Sequence, residues 1–144
     1  MPDRAKSPSR NGSSGARLTI LVVDDEEGIR AVAADMLEYL GYTALTDPSG
    51  EDALARITAG ARPDLVIIDV VMPGLGGVET FRRLRKIAPG VRVIFSSGYT
   101  DKSAFDALAA EGASGFIVKP YLLEALAERV RTLLGESPVA PPAR

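Results

Sequence analysis

The chain has 144 residues and a mass of 15.2 kDa, about one domain of ordinary size. It contains no Cys and no His, which excludes disulfides, thiolate and imidazole metal sites, Ser-His catalysis and any phosphohistidine carried on this chain. The formal net charge is −2, but residues 18–135 hold 12 basic against 17 acidic side chains, so that the body of the chain is acidic and lacks the footprint of a nucleic-acid binder.

The first 17 residues are rich in Ser, Gly, Pro and Arg and have no apolar period. They are expected to be a disordered tail, as are the Pro-rich residues 136–144. No apolar run approaches the ~18–20 residues that span a bilayer, and no apolar segment follows the N-terminal basic residues. A cytoplasmic protein without a membrane span is expected.

Between the tails, at residues 18–135, the apolar period switches repeatedly. Leu18–Val23 reads as a strand. Ile29, Val32, Ala33, Met36, Leu37 and Leu40 then recur at helical spacing, and Gly41 stops that helix. Tyr42–Leu45 is a weaker strand. Ser49 opens a second helix, with Asp52 at capping-box spacing, and this helix ends near Gly60. Leu65–Asp69 is a strand. A third helix runs from about Gly77 to before Pro89-Gly90. Val91–Ser96 is a strand, a fourth helix runs from about Thr100 to Gly112, and Gly115–Val118 is a short strand. The last helix carries Leu122, Leu123, Leu126, Val130, Leu133 and Leu134 and stops at Gly135. Each helix is followed by a glycine suited to a left-handed cap. Strict alternation predicts an α/β, doubly wound parallel sheet of five strands with five helices, in the flavodoxin-like order 2-1-3-4-5.

Such sheets bind ligands beyond the carboxyl ends of their strands. Strand 1 ends in Asp24-Asp25, strand 3 in Asp69, strand 4 in Ser96-Ser97 and strand 5 in Lys119-Pro120. Strand 2 ends in Thr46-Asp47, to which no role is assigned. The predicted order puts strands 1 and 3 side by side, so three carboxylates meet. They repel unless a cation joins them or some protonate. Oxygen ligands alone favour a hard ion, Mg²⁺ or Mn²⁺, whose retained waters leave room for a phosphoryl oxygen. Lys119 and Ser97 would supply a positive charge and a hydroxyl donor.

The segments ILVVDDEEGIR, LVIIDVVMPGLGGVE, VIFSSGYTD and GFIVKP resemble the receiver domain of two-component response regulators, over about residues 18–134. The resemblance implies phosphorylation of Asp69 by a histidine kinase or histidine phosphotransfer protein. It implies Mg²⁺ on Asp25, Asp69 and the backbone carbonyl of Val71, with Asp24 reaching the ion through water. Ser97 would be the switch hydroxyl, Lys119 the ion-pair partner of the phosphoryl group and Phe116 the switch aromatic. The Lys119-Pro120 bond would be cis. The face formed by helix 4, strand 5 and helix 5 would meet a downstream protein, with no direct role for nucleic acid or membrane. The resemblance implies no enzyme beyond self-phosphotransfer and self-dephosphorylation. It fits a stand-alone regulator or the receiver part of a hybrid kinase.

Plainer roles exist for the same residues. Asp24 and Asp25 can cap a helix, Asp69 can form a turn, and Ser96 rivals Ser97 for the hydroxyl role. Arg82, Arg83, Arg85 and Lys86 read as a solvated helix face. A receiver-like binding module without phosphorylation is one alternative. An aspartyl phosphatase is another, though Val71 stands where its second acid is expected. Val71 and Tyr99 also lack polar groups to orient a hydrolytic water, which predicts a long-lived phosphoryl group.

Overall fold

The computed structural model describes residues 17–98 and 102–135. The two expected tails apart from Arg17, the start of the fourth helix at Thr100, and Tyr99 lie outside the described residues.

Ten elements alternate: β1 (Thr19–Val23), α1 (Glu27–Tyr39), β2 (Thr43–Asp47), α2 (Gly50–Thr58), β3 (Leu65–Asp69), α3 (Gly77–Ile87), β4 (Arg92–Ser97), α4 (Lys102–Ala110), β5 (Gly115–Val118) and α5 (Leu123–Leu134). The strands form one parallel sheet in the order β2-β1-β3-β4-β5, the flavodoxin-like order. The β1, β3 and β4 runs are unbroken and apolar because helices cover both faces. All of β3 is buried, as are β1 and β4 apart from their first residues.

Strand alternation sorts the core into two layers. Ile20, Val22, Leu65, Ile67, Ile94 and Ile117 face one side and pack on Leu37, Leu126 and Val130 of α1 and α5. Leu21, Val23, Val66, Ile68, Val93 and Phe95 face the other side and pack on Ile57, Phe81, Leu84 and Leu108 of α2, α3 and α4.

Local chemistry sets the helix ends. Ser49 Oγ accepts a hydrogen bond from the Asp52 amide at 3.1 Å, as the capping-box spacing predicts. A Cβ at Gly77 would collide with the Asp69 carbonyl and the Val70 backbone, so α3 can begin directly against the end of β3. The Gly77 amide donates to the Val70 carbonyl there at 3.2 Å.

Four expectations differ from the structure. Val32 is at helical spacing but faces solvent. The fifth helix begins at Leu123; Leu122 is its N-cap and is 68% exposed, so the leucine run starts one residue outside the helix. Gly90 does not take a left-handed conformation; α3 ends at Ile87, and its C-cap Ala88, at φ −140° and ψ 74°, already leaves the helical region. Glu26, not Asp24 or Asp25, holds the N-cap of α1, and its side chain makes no cap bond.

Candidate functional site

The strand ends place their polar residues together. Asp24 follows β1, and its amide donates to the carbonyl of Asp47 at 3.2 Å, which continues the β1–β2 pairing by one residue. The remaining groups of Asp24 are also engaged. Oδ1 accepts the Glu26 amide at 2.9 Å, Oδ2 accepts Lys119 Nζ at 3.1 Å, and the carbonyl accepts Arg30 Nη1 at 2.8 Å. The fully buried Asp24 is thus held by four anchors, two on its carboxylate and two on its backbone.

Asp69 is the last residue of β3. Its Oδ2 accepts Lys119 Nζ at 3.0 Å and its Oδ1 accepts the Val71 amide at 3.3 Å. One carboxylate oxygen from each of Asp24, Asp25 and Asp69 lies within 4.8 Å of the others, with Asp24 and Asp69 buried and Asp25 exposed. Lys119 follows β5, its amide donates to the Ser97 carbonyl at 2.7 Å, and its bond to Pro120 is cis. The ammonium therefore bridges the two buried carboxylates.

Three carboxylates and one ammonium leave a net charge of −2. That charge and the all-oxygen donor set are compatible with a hard divalent cation such as Mg²⁺. Arg56 keeps a fourth carboxylate out of the group. Its Nε and Nη2 donate to Asp47 Oδ2 and Oδ1 at 2.8 and 3.0 Å. Asp47, given no role from the sequence, is buried and supports Asp24 through its carbonyl. Its pattern gave no hint because the partner, Arg56, is nine residues on and on a different element.

Electrostatics oppose one another at Asp69. Burial pushes its carboxyl above the usual Asp value. The Lys119 hydrogen bond pulls it down, the Asp24 charge pushes it up, and the net direction is up. Burial alone would lower Lys119, but hydrogen bonds to Asp69 and Asp24, with their charges, hold it above its ordinary value. Tyr121, two residues after Lys119, is pushed up to about 12, chiefly by burial and against the influence of the nearby Ser96 hydroxyl.

Ser97 ends β4 and is buried, in register with Val118. Phe116 lies outside the acidic group. It is half-buried and stacked between Phe105 of α4, with ring centroids 4.2 Å apart, and Phe95 of β4, at 6.2 Å. Val71 is 64% exposed at the mouth of the site. The basic residues of α3 are less free than a solvated face suggests: Arg82 pairs with Glu111, Arg83 with Glu79, and Arg85 lies over the Phe81 ring.

Three features near the site escaped the sequence. Arg30 anchors Asp24, and its place in the first turn of α1, six residues after Asp24, could have suggested it. The Asp47–Arg56 pair and the buried hydroxyl of Tyr121 carry no comparable signal, whereas Ser96, the rival of Ser97 in the sequence, is buried beside it at the end of β4.

The family model for the response regulator receiver domain matches residues 20–131. The chain belongs to that family. It is 38% identical over 117 residues to the sensor kinase CckA of Brucella abortus, covering 81% of this chain and 12% of that protein. It is 36% identical to the response regulator MprA of Mycolicibacterium vanbaalenii, covering 80% of this chain and 49% of that protein. It is 31% identical to sporulation initiation phosphotransferase F of Bacillus subtilis, covering 80% of this chain and 92% of that protein. Among solved structures, the chemotaxis protein CheY4 of Vibrio cholerae superimposes with a TM-score of 0.77 at 30% identity, covering 83% of this chain and all of that one. The chain thus spans half or less of the length of the sensor kinase and of the regulator MprA, and most of that of the phosphotransferase. Among the described residues no helix is long and apolar enough to cross a membrane.

Proposed function

We propose that this receiver accepts a phosphoryl group on Asp69 from a phosphohistidine of a histidine kinase or histidine phosphotransfer protein, in the cytoplasm. The observation that carries this reading is the convergence of Asp24, Asp25 and Asp69 with Lys119 bridging the two buried acids. In the transfer, an Asp69 carboxylate oxygen forms a bond to phosphorus, the bond from phosphorus to the imidazole nitrogen breaks, and its electron pair leaves with the imidazole. Asp25, Asp69 and the Val71 carbonyl would hold Mg²⁺, with Asp24 reaching it through water. Mg²⁺ supplies charge neutralisation on the phosphoryl oxygens.

The chain's own residues position and stabilise. Lys119 offsets charge on the transferring oxygens, and Ser97, at the neighbouring strand end, would bond the phosphoryl group once it is in place. A phosphate adds roughly −1.5 to −2 charges, and drawing Ser97 toward it moves the end of β4. Phe116 and the face made by α4, β5 and α5 then shift toward a form that a protein partner reads, a form already populated at a low level.

The test is labelling by acetyl phosphate or a phosphorylated kinase. Wild type should label only with Mg²⁺, and EDTA or Asp69→Asn should reduce labelling to background. Undiminished labelling of Asp69→Asn would remove Asp69 from its role. Unlabelled wild type that still binds a protein partner would make this a binding module without phosphorylation. Val71, exposed and apolar, places no polar group for water at the site mouth. A slow loss of label, over minutes or longer, is expected, and Val71→Asn should shorten it.

A further inference from the structure

Of the three carboxylates in the acidic group, two are anchored through their side chains and one is not. Asp24 and Asp69 are buried and share Lys119. Asp25 is exposed, and among the described residues its side chain makes no hydrogen bond or ion pair. Its carboxylate oxygen nevertheless lies within 4.8 Å of those of the other two acids. That position has to come from the backbone on either side of it.

Both peptide groups that flank Asp25 are pinned. The one before it carries the Asp24 carbonyl, which accepts Arg30 Nη1 at 2.8 Å. The one after it carries the Glu26 amide, which donates to Asp24 Oδ1 at 2.9 Å. Peptide groups are planar, so fixing both planes leaves Asp25 little freedom in φ and ψ and sets the direction of its side chain. Arg30 is itself held, because its amide donates to the Glu26 carbonyl at 3.1 Å in the first turn of α1. The half-buried Arg30 thus closes the β1–α1 loop around Asp25 from both ends.

We propose that Arg30 is a positioning residue for the cation. Its bond to the Asp24 carbonyl keeps the Asp25 carboxylate beside Asp69 and so favours a small, strictly octahedral ion over a larger one. Mg²⁺ demands near-ideal geometry at short distance and gains from a preset carboxylate. Ca²⁺ accepts an irregular shell and can follow a loosened one. The charge of the guanidinium acts in the opposite sense, since it repels either ion, so positioning and charge predict changes of opposite sign. This inference rests on the acidic group holding Mg²⁺.

The test titrates Mg²⁺ and Ca²⁺ into the metal-free protein by calorimetry, with a cooperative thermal transition in EDTA as the check that each variant is folded. Arg30→Met should weaken Mg²⁺ binding about tenfold and Ca²⁺ binding less than about threefold. Arg30→Lys, which keeps the charge and a donor, should recover most of the lost Mg²⁺ affinity. Equal weakening of both ions in Arg30→Met would overturn the inference, because a merely structural role lowers both without changing their ratio. Unchanged binding would also overturn it, as would tighter binding of both ions, in which case the charge of Arg30 outweighs its bond. A Lys variant no better than the Met variant would do the same. Wild type that fails to bind Mg²⁺ would instead overturn the reading of the acidic group as a cation site.

Discussion

The two faces of the sheet end differently. Toward α1 and α5 the layer is aliphatic apart from Tyr42 and Tyr121, and along β3 it passes from Ile67 to Asp69, along β4 from Ile94 to Ser96, within a single side-chain step. Toward α2, α3 and α4 the layer contains all four phenylalanines of the chain. They form a chain of ring contacts, Phe81 edge-on to Phe95, Phe95 stacked on Phe116 and Phe116 stacked on Phe105, whose last two members are half-buried. Branched aliphatic side chains locked between helices give carboxylates a fixed base, which an electrostatic site needs. Flat rings that reach the surface can slide or turn with less loss of contact, which suits a face that changes shape. The difference suggests a division of labour: chemistry over the aliphatic layer and readout over the aromatic one.

The sharpest way to break that division is to loosen each layer in turn. Ile67 is fully buried directly beneath Asp69. Ile67→Ala should cost about 3–4 kcal/mol of stability in a denaturant titration and slow labelling as well, since the base of the site is lost. Phe105 is half-buried, and Phe105→Leu should cost about 1 kcal/mol and leave the labelling rate unchanged, while weakening the difference between free and beryllofluoride-bound spectra at Phe116. Labelling that fails in Phe105→Leu but survives in Ile67→Ala would reverse the assignment.

A smaller effect comes from the electrostatic load on the aliphatic side. The Asp69 carboxyl is held above its usual value mainly by burial, so the folded protein binds its proton more readily than the unfolded chain does. The stability this contributes is complete below the unfolded value of 3.8 and is lost as pH rises through the higher folded value. Asp69→Asn cannot lose it. In metal-free buffer at neutral pH, Asp69→Asn should melt about 2–4 °C higher than wild type, and the gap should close on acidification toward the unfolded value. A variant that melts lower at neutral pH would show that Lys119 more than offsets the burial of this carboxylate. The residue most needed for the proposed chemistry is thus expected to cost stability.

Most of the fold was legible because the strands are short, buried on both faces and separated by helices with their own 3.6-residue period. Alternation of that kind leaves few topologies open. The acidic group was legible for a related reason: Asp24, Asp25 and Asp69 stand at strand ends, where a parallel sheet places ligand groups irrespective of detailed packing. The parts that stayed hidden depend on which side chains meet across elements. Asp47 finds Arg56 on α2, Arg85, though exposed, lies over the Phe81 ring, and Tyr121 turns its hydroxyl inward near Ser96. The period of a strand or helix says which face a residue is on, but it does not say which polar group waits opposite. Leu122 shows the converse: an apolar residue at helical spacing is exposed because the helix begins one residue after it.

The smallest expected effect lies on the aromatic side, where Arg82 of α3 meets Glu111 just after α4. The guanidinium forms a bidentate pair, Nε to Oε1 at 2.8 Å and Nη2 to Oε2 at 2.7 Å. The hydrogen bond from Arg82 holds Glu111 below its usual carboxylate value and raises Arg82 in turn. Good geometry alone does not make the pair strong. Both side chains stand in solvent, at 51% and 37% exposure, where water and salt screen the attraction and ordering two long side chains offsets much of it. Arg82→Ala should therefore leave the thermal midpoint unchanged at physiological salt, with at most a small decrease at low ionic strength. A clear loss at physiological salt would mean that this bridge ties α4 to α3. The aromatic face would then owe its packing to a surface clamp as well as to its rings, and α4 would be less free to move on phosphorylation than the contrast between the two faces implies.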